Sequence, residues 1–117
     1  MIFAQAMQDA KYIDFDSDSV PYKLSIKLSG KTFTFEFSYN QRGDFYTCNL
    51  YRGAKVLAFG EILRYGRILF GTIRNGEFPG VDIMPICISG RGINTITREN
   101  MGREVKLYIY EQEQVMN

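Results

Sequence analysis

Apolar and polar residues alternate without interruption in two runs between residues 22 and 39. Their apolar positions are Tyr22, Leu24, Ile26 and Leu28 in the first run and Phe33, Phe35, Phe37 and Tyr39 in the second. A period of two predicts strands that bury one face. Gly30-Lys31, between the runs, is predicted to form a two-residue hairpin turn. Because a slip of one residue would expose the aromatic side chains of the second run, the pairing register should be well defined.

Turn residues divide much of the remaining chain into further short strands. Asn40-Gln41-Arg42-Gly43-Asp44 is predicted to be a turn in which Gly43 adopts a positive φ. Further strands are predicted at residues 45–51, 55–59, 81–89 and 105–109, with a short edge strand at 11–15. Residues 97–102 are predicted to form one helical turn, which begins at the N-cap Thr97 and ends at Gly102.

These elements indicate an all-β fold, a single antiparallel β-barrel or β-sandwich of six to eight strands with little helix. The length of 117 residues fits one domain spanning residues 1–117. Residues 1–10 and 111–117 are expected to be flexible ends. Pro85 is predicted to place its strand at a sheet edge or a bulge, since proline lacks the N–H that a central strand donates.

A short pattern occurs twice between residues 59 and 69. Phe59-Gly60-Glu61-Ile62-Leu63 and Tyr65-Gly66-Arg67-Ile68-Leu69 share the order aromatic, glycine, charged, isoleucine, leucine. Glycine within a strand pattern indicates bulges or sharp bends. We therefore predict that residues 59–70 cross the end of a barrel or pass from one sheet to another. Residues 71–80, rich in glycine, are predicted to be a mobile loop with a turn at Asn75-Gly76.

The composition excludes several kinds of catalysis. The chain contains no His, which rules out Ser-His-Asp and Cys-His mechanisms and His-based zinc sites. Cys48 and Cys87 are expected to be small core residues, with a disulfide between them as the alternative. No spacing of acidic residues selects a catalytic pair. The sequence therefore predicts a protein that is not an enzyme and that has no cofactor and no metal.

Three aspartates at alternate positions raise the question of calcium binding. Asp14, Asp16 and Asp18 resemble the start of a calcium-binding loop. However, Ser19 and Ser25 stand where such a loop needs a glycine and a bidentate glutamate. We therefore interpret the run as a solvated acidic turn before the first long strand.

Basic and aromatic residues are interleaved between residues 64 and 74. They are Arg64, Tyr65, Arg67, Phe70 and Arg74. On a small barrel, this pattern is compatible with binding of single-stranded nucleic acid or an oligosaccharide, with the rings stacking on the ligand. The preferred interpretation is that the rings belong to the core and the arginines to the surface. The net charge of only +1 and the absence of Trp weigh against nucleic-acid binding.

Charge is unevenly distributed along the chain. Residues 1–20 carry one Lys and four Asp, and residues 108–117 carry two Glu, whereas residues 21–107 carry thirteen basic and seven acidic groups. The preferred interpretation is ordinary surface charge; the alternative is that acidic ends around a basic body suit ordered contact with neighbouring proteins. No apolar run is long enough to span a membrane, and the N-terminus lacks the basic start of a signal peptide. Synthesis and folding in a cytoplasm are therefore expected.

Several framework segments resemble one family of small phage tail proteins. They are Val20-Pro21-Tyr22, Phe45-Tyr46-Thr47-Cys48-Asn49-Leu50-Tyr51, Asn100-Met101-Gly102 and Val105-Lys106-Leu107-Tyr108-Ile109-Tyr110, together with the two glycine-containing repeats. On these residues, the chain resembles the phage baseplate plug proteins of the cyanophage type over about residues 12–110.

The resemblance implies a structural, non-enzymatic part of the tail baseplate of a virion, made in the host cytoplasm. Such plug proteins lie in the central hub near the axis of the tail tube and help to close its end. The implied partners are other tail and baseplate proteins, namely hub, tail tube or spike, in a homo- or hetero-oligomeric assembly. No membrane is implied, and nucleic acid remains only the alternative partner.

Because protein partners are expected, we predict which residues contact them. Arg64, Arg67 and Arg74 are predicted to be charged contacts, and Phe70 and Phe78 to be apolar anchors. Strand addition, in which a neighbour pairs with exposed N–H and C=O groups, is expected at the predicted edge strands, residues 11–15 and 81–89.

Overall fold

A computed structural model of the chain describes residues 11–71, 76–89 and 92–111. The predicted flexible ends, apart from Glu111, lie outside the described residues, as do residues 72–75 of the predicted mobile loop. Seven strands are described and no helix. They are β1 (Lys11–Ile13), β2 (Tyr22–Leu28), β3 (Lys31–Asn40), β4 (Phe45–Arg52), β5 (Lys55–Ile62), β6 (Val81–Ile86) and β7 (Lys106–Glu111). The prediction of an all-β fold is confirmed.

The strands form two antiparallel sheets, one of four strands in the order β2-β3-β4-β5 and one of three in the order β1-β7-β6. No closed barrel is found among the described residues. The predicted alternation of β2 and β3 sets their register, in which Leu24 lies opposite Phe35. Phe33, Phe35 and Phe37 have no exposed surface. The four-stranded sheet therefore buries the aromatic face that the sequence pattern predicts.

The turn between β2 and β3 lies one residue earlier than predicted. Leu28 pairs with Lys31, so that Ser29 and Gly30 form the turn rather than Gly30 and Lys31. Both turn residues have positive φ angles, 52° and 79°. Two consecutive positive φ values define the type I′ turn, whose twist matches that of the flanking strands.

The turn between β3 and β4 uses its glycine in an unexpected way. Asp44, not Gly43, has the positive φ, at 59°. A Cβ atom on Gly43 would lie 2.1 Å from a ring carbon of Phe45, so the glycine provides space rather than a left-handed backbone. The side chain of Asn40 accepts a hydrogen bond of 2.8 Å from the Gly43 N–H, and the hydroxyl of Tyr39 donates to Asp44.

The two sheets contribute to one hydrophobic core. Its fully buried side chains include Phe35 and Cys48 from the four-stranded sheet and Leu107 from the three-stranded sheet. Phe15, just beyond β1, packs edge-on against Phe37 with ring centroids 4.9 Å apart. Edge-to-face aromatic contacts stabilise a core beyond the area they bury.

Three local predictions have structural outcomes. Residues 97–102 form a capped turn but no helix. In this turn Asn100 donates its N–H to the Thr97 hydroxyl at 3.0 Å, and the Thr97 N–H donates to the Asn100 side chain at 2.8 Å. Both cysteines are free, so the disulfide alternative is not seen; Cys48 is buried and Cys87 is half-buried. Among the described residues there is no helix long and apolar enough to cross a membrane.

Candidate functional site

The repeated pattern at residues 59–69 joins the two sheets. In the first copy, the Leu63 N–H donates to the Tyr46 carbonyl of β4 at 3.0 Å. In the second copy, the Leu69 N–H donates to the Ile83 carbonyl of β6 at 2.8 Å. Both leucine side chains are buried, at 3% and 4% exposure. The chain therefore passes from one sheet to the other, as the sequence indicated, and each copy is attached to one sheet.

The glycines of the two copies have similar, positive φ angles. Gly60 has a φ of 78° and Gly66 a φ of 72°, values that residues with a Cβ atom adopt at a cost. The Gly60 N–H donates to the Asn49 side chain at 2.7 Å. The Gly66 N–H donates to the Pro85 carbonyl of β6 at 2.9 Å. The glycine of each copy therefore has a positive φ, but Gly60 belongs to strand β5 and Gly66 to a turn.

Arg64 and Arg67 are brought together by the turn that separates the two copies. The Arg67 N–H donates to the Arg64 carbonyl at 3.1 Å, so they are the first and fourth residues of a β-turn. Gly66, with its positive φ, occupies the third position. Tyr65, at the second position, is held by its hydroxyl, which accepts a 3.0 Å hydrogen bond from the Cys87 N–H. Two exposed guanidinium groups therefore project from an anchored turn.

An open groove of about 650 Å³ lies beside this turn. The charged residues that line it are Arg64, Arg67 and Glu61, and its apolar wall is formed by Ile62, Ile68, Leu69 and Met84. The charged residue and the isoleucine of both repeat copies line the groove, so both copies build it. A cationic rim beside an apolar wall suits a segment that carries acidic and apolar side chains.

The two arginines on the groove have no competing charge partner among the described residues. Neither guanidinium forms an ion pair or a hydrogen bond there. Glu61, the carboxylate of the groove, instead accepts a 2.8 Å hydrogen bond from the Phe70 N–H. Arginine presents several N–H donors in a fork that matches a carboxylate. The groove therefore offers unused donors to an external acidic group.

Two other depressions differ from the groove because their cationic side chains already have neighbours. In a depression of about 530 Å³, Arg98 lies over the Tyr39 ring, 5.2 Å from its centroid. Arg103 of the same depression lies 3.9 Å from an Asp18 carboxylate oxygen. In a smaller depression of about 360 Å³, the Lys106 ammonium lies 4.0 Å from the centroid of the Tyr12 ring. Each of these cationic groups therefore already has an aromatic ring or a carboxylate beside it, a contact that neither Arg64 nor Arg67 makes among the described residues.

The structure places the two predicted apolar anchors in the interior. Phe70 is 2% exposed and Phe78 is 7% exposed, and their ring centroids lie 5.8 Å apart. Phe70 has a positive φ of 61°, and its N–H is held by Glu61. The two rings therefore support the segment that carries the groove from beneath and do not form part of its surface. Arg74, the third predicted charged contact, lies outside the described residues.

The interleaved aromatic residues do not form a stacking platform. Phe70 is buried, and Tyr65 is half-buried with its hydroxyl engaged. Binding of single-stranded nucleic acid through stacked bases needs exposed ring faces. The interpretation that these rings belong to the interior and the arginines to the surface agrees with the structure for every described member of the set.

Sequence reasoning missed the residues that complete the groove. Glu61, Ile62, Ile68 and Met84 line it but were not predicted as contacts. The repeat itself was the available signal, because its matching charged and isoleucine positions face one groove. Phe59 was also missed: it precedes the groove residue Gly60 and is 77% exposed, the largest exposure among the apolar side chains that the structure describes as exposed.

A carboxyl group with a lowered pKa lies away from the groove, on the outer face of the four-stranded sheet. The pKa of Glu36 is lowered because the Tyr51 hydroxyl and the Asn49 amide donate hydrogen bonds to it, at 2.7 and 3.0 Å. The same bond raises the pKa of Tyr51. These residues lie on neighbouring strands, β3 and β4. The arrangement is a cross-strand polar network of the kind that stabilises sheets.

The acidic run before β2 is an internally bonded turn. The Asp16 carboxylate accepts hydrogen bonds from the Asp18 N–H at 3.0 Å and from the Ser19 hydroxyl at 2.6 Å. Over residues 11–71, 76–89 and 92–111, no group of three or more cysteine, aspartate or glutamate side chains is placed to hold a metal ion.

Comparison with known proteins identifies a family that the chain matches. Over residues 10–112, the chain matches the model of the family described as the cyanophage baseplate Pam3 plug gp18. The match covers nearly all of the 117 residues, including the seven strands and the groove. No curated protein shows significant similarity to the chain.

Proposed function

We propose that this chain, which belongs to the cyanophage baseplate plug family, a structural family of the phage virion, binds hub and tail tube proteins and helps to close the end of the tube. Its site of action is then the tail baseplate, after synthesis in the host cytoplasm. The family match supports the structural role, which agrees with the expectation that the chain is not an enzyme.

The observation that carries the proposed binding role is the pair of unpaired arginines on an apolar groove. Arg64 and Arg67 are exposed and have no ion-pair partner among the described residues. Their turn is anchored to β6 through the hydrogen bond between Gly66 and Pro85, so its backbone loses little conformational freedom when a partner binds. A pre-organised contact costs less conformational entropy than a mobile one.

The groove defines the chemistry of the partner surface. A carboxylate would receive hydrogen bonds from Arg64 or Arg67. An apolar side chain beside it would cover Ile68, which is 41% exposed and lines the same groove. The favoured partner is therefore a hub or tube segment with acidic and apolar residues side by side, rather than a uniformly acidic surface.

Charge reversal in the groove tests this proposal. The purified chain is mixed with recombinant hub and tail tube proteins of its phage, and complex formation is followed by size-exclusion chromatography and biolayer interferometry. The double variant Arg64→Glu/Arg67→Glu should bind at least about tenfold more weakly than the wild-type chain, because each lost charge-assisted contact is worth about 1.5–3 kcal/mol before compensation.

A matched variant controls for the change in net charge. Arg42→Glu/Arg52→Glu makes the same charge change at exposed positions that line neither the groove nor the two depressions described above, and it should bind with nearly wild-type affinity. Equal loss in both double variants would show that net charge, not the groove, governs binding. Absence of any complex between the wild-type chain and the hub or tube proteins would overturn the proposed function.

A further inference from the structure

The two sheets have four edge strands, and three of them are poorly suited to receive another strand. β1 contains only three residues. The edge of β6, which the sequence predicted as a docking strand, is partly occupied, because the Gly66 and Leu69 N–H groups donate to its Pro85 and Ile83 carbonyls. β5 pairs with β4 through two register shifts, and such bulges disrupt the row of edge groups. The remaining edge is β2.

β2 is a regular strand, and one of its two edges is unpaired among the residues that the structure describes. All seven of its residues pair in unbroken register with β3, and no other described strand pairs with it. Leu28 and Lys31 close a two-residue hairpin, so they form a hydrogen-bonded pair. Hydrogen-bonded and non-bonded pairs alternate along an antiparallel ladder. The outward N–H and C=O groups of β2 therefore belong to Lys23, Ser25 and Lys27.

Charge on this edge selects among possible partner strands. Lys23 and Lys27 are exposed on the outer face, two residues either side of Ser25. If a second copy paired antiparallel around Ser25, each of these lysines would lie opposite the other copy's counterpart. Like charges directly opposed across strands are destabilising, whereas opposite charges contribute about 0.2–1 kcal/mol for each pair. The lysines therefore oppose self-pairing and favour an acidic strand.

The inner face of β2 is incompletely covered. Leu24 and Ile26 pack against the core but are only partly buried. A strand added to β2 would place apolar side chains beside them and extend the core outward. Apolar burial and backbone pairing would then act together, as in other cases of strand addition.

We propose that the free edge of β2 receives, by antiparallel pairing, an extended segment of a partner protein with acidic residues opposite Lys23 and Lys27 and apolar residues beside Leu24 and Ile26. The motif on the partner is acidic, apolar, any residue, apolar, acidic. That the partner is a baseplate protein rests on the proposed function, but the edge chemistry rests only on the strand order and the two lysines.

The experiment uses a synthetic peptide as the probe and needs no baseplate protein. The acetylated, amidated peptide Thr-Glu-Val-Thr-Val-Glu-Thr is titrated into the full ¹⁵N-labelled chain while amide resonances are recorded by NMR. The largest shifts should occur at the amides of Lys23, Ser25 and Lys27. A control peptide with lysine in place of both glutamates should bind at least about tenfold more weakly. A failure here leaves the groove experiment unaffected, and the reverse also holds.

Two variants test whether the peptide binds at the edge of β2. Lys23→Glu/Lys27→Glu should reverse the preference, so that the lysine peptide binds more tightly than the glutamate peptide. Ser25→Pro removes an outward N–H without removing a backbone hydrogen bond to β3, and it should abolish peptide binding. Ser25→Ala, which removes only the 3.1 Å hydrogen bond between the Ser25 and Thr34 hydroxyls, is the matched control and should still bind the peptide. If Ser25→Pro does not fold, Lys27→Glu alone still provides the test, because Lys27 is exposed and lies opposite the uncharged Thr32, whereas Lys23 lies opposite Glu36.

Four results would overturn the proposal. They are no amide shifts at about millimolar peptide, the largest shifts at another strand, equal affinity for the two peptides, and a concentration-dependent dimer of the wild-type chain with protected β2 amides. The last result would show that the edge receives a second copy of the chain despite the opposed lysines.

Discussion

The hydroxyl of Tyr51 on β4 donates a hydrogen bond of 2.7 Å to the carboxylate of Glu36 on β3. Asn49, two residues before Tyr51, donates to the same carboxylate oxygen. Lys23 of β2 lies over the Tyr51 ring, 5.3 Å from its centroid. Polar and aromatic groups of three adjacent strands therefore meet around Tyr51 and Glu36 on the outer face of the four-stranded sheet.

This network predicts a dependence of stability on pH. The pKa of Glu36 in the folded protein is lowered, chiefly by the Tyr51 hydrogen bond. The ionised Glu36 carboxylate therefore stabilises the folded protein fully at pH values above the pKa of this group in the unfolded chain, about 4.5. This contribution is lost as the pH falls through the lower pKa that Glu36 has in the folded protein. In Glu36→Gln this contribution is absent, so its Tm should lie below that of the wild-type chain at neutral pH, and the gap should narrow in acid.

The measurement is thermal unfolding followed by circular dichroism between about pH 3 and pH 7. Glu104→Gln is the matched control, since Glu104 is exposed and its side chain makes no hydrogen bond to a described residue. A constant gap between Glu36→Gln and the wild-type chain over this range would contradict the prediction. The network should contribute only modestly, because its groups are near solvent.

Two glycines with similar φ angles should tolerate alanine very differently. Gly102 has a φ of 84°, and a Cβ atom on it would lie 2.5 Å from the Phe15 carbonyl oxygen. Gly30 has a φ of 79°, but a Cβ atom there would meet nothing within 4 Å. Gly30→Ala should cost about 1–2 kcal/mol for the left-handed backbone alone, and Gly102→Ala about 3 kcal/mol or more. Urea unfolding checks this, and equal losses would show that Phe15 moves aside freely.

Two phenylalanines on the four-stranded sheet should differ in their contribution to stability. Phe35 has no exposed surface, and its ring stacks on Phe37 with centroids 6.0 Å apart. Phe59 is 77% exposed. Phe35→Ala should reduce the free energy of unfolding by about 3–5 kcal/mol, a large part of the total for a small domain. Phe59→Ala should change it by less than about 0.5 kcal/mol. Equal effects of the two substitutions in urea unfolding would contradict the placement of Phe59.

The two thiols should differ in reactivity. Cys48 has no exposed surface, and burial raises the pKa of its thiol well above the ordinary value, so that little reactive thiolate forms. Cys87 is half-buried, with its sulfur 2.9 Å from the Ser89 hydroxyl oxygen. In the folded chain, a maleimide should modify Cys87 first, and Cys48 should react only after denaturant is added. Mass spectrometry of digested protein distinguishes the two, and early modification of Cys48 would show that the core opens.

The repeat at residues 59–69 shows where reading the sequence alone was sufficient and where it was not. The glycines predicted bends, and the structure has positive φ at Gly60 and Gly66. The pattern did not reveal that each copy is attached to a different sheet, through Leu63 and Leu69. Those hydrogen bonds join residues that are far apart in sequence, and a pattern of neighbouring residues does not reveal such contacts.

For the predicted contact residues, too, the sequence revealed some properties and not others. Arg64 and Arg67, predicted as charged contacts, line one groove, whereas Phe70 and Phe78, predicted as apolar anchors, lie in the interior. Composition identifies a phenylalanine as apolar but does not say whether it faces the core or a partner. Likewise, the predicted docking edge at β6 proved to be partly occupied by the crossing segment.

The sequence by itself determined the strands and their buried faces, because a side-chain period of two has a physical meaning that depends only on neighbouring residues. It also excluded histidine chemistry, because the residue is absent. Only the tertiary structure decided which edges stay free and which arginines share a groove. These properties depend on hydrogen bonds and packing between segments such as β6 and residues 66–69, which become neighbours only when the chain has folded.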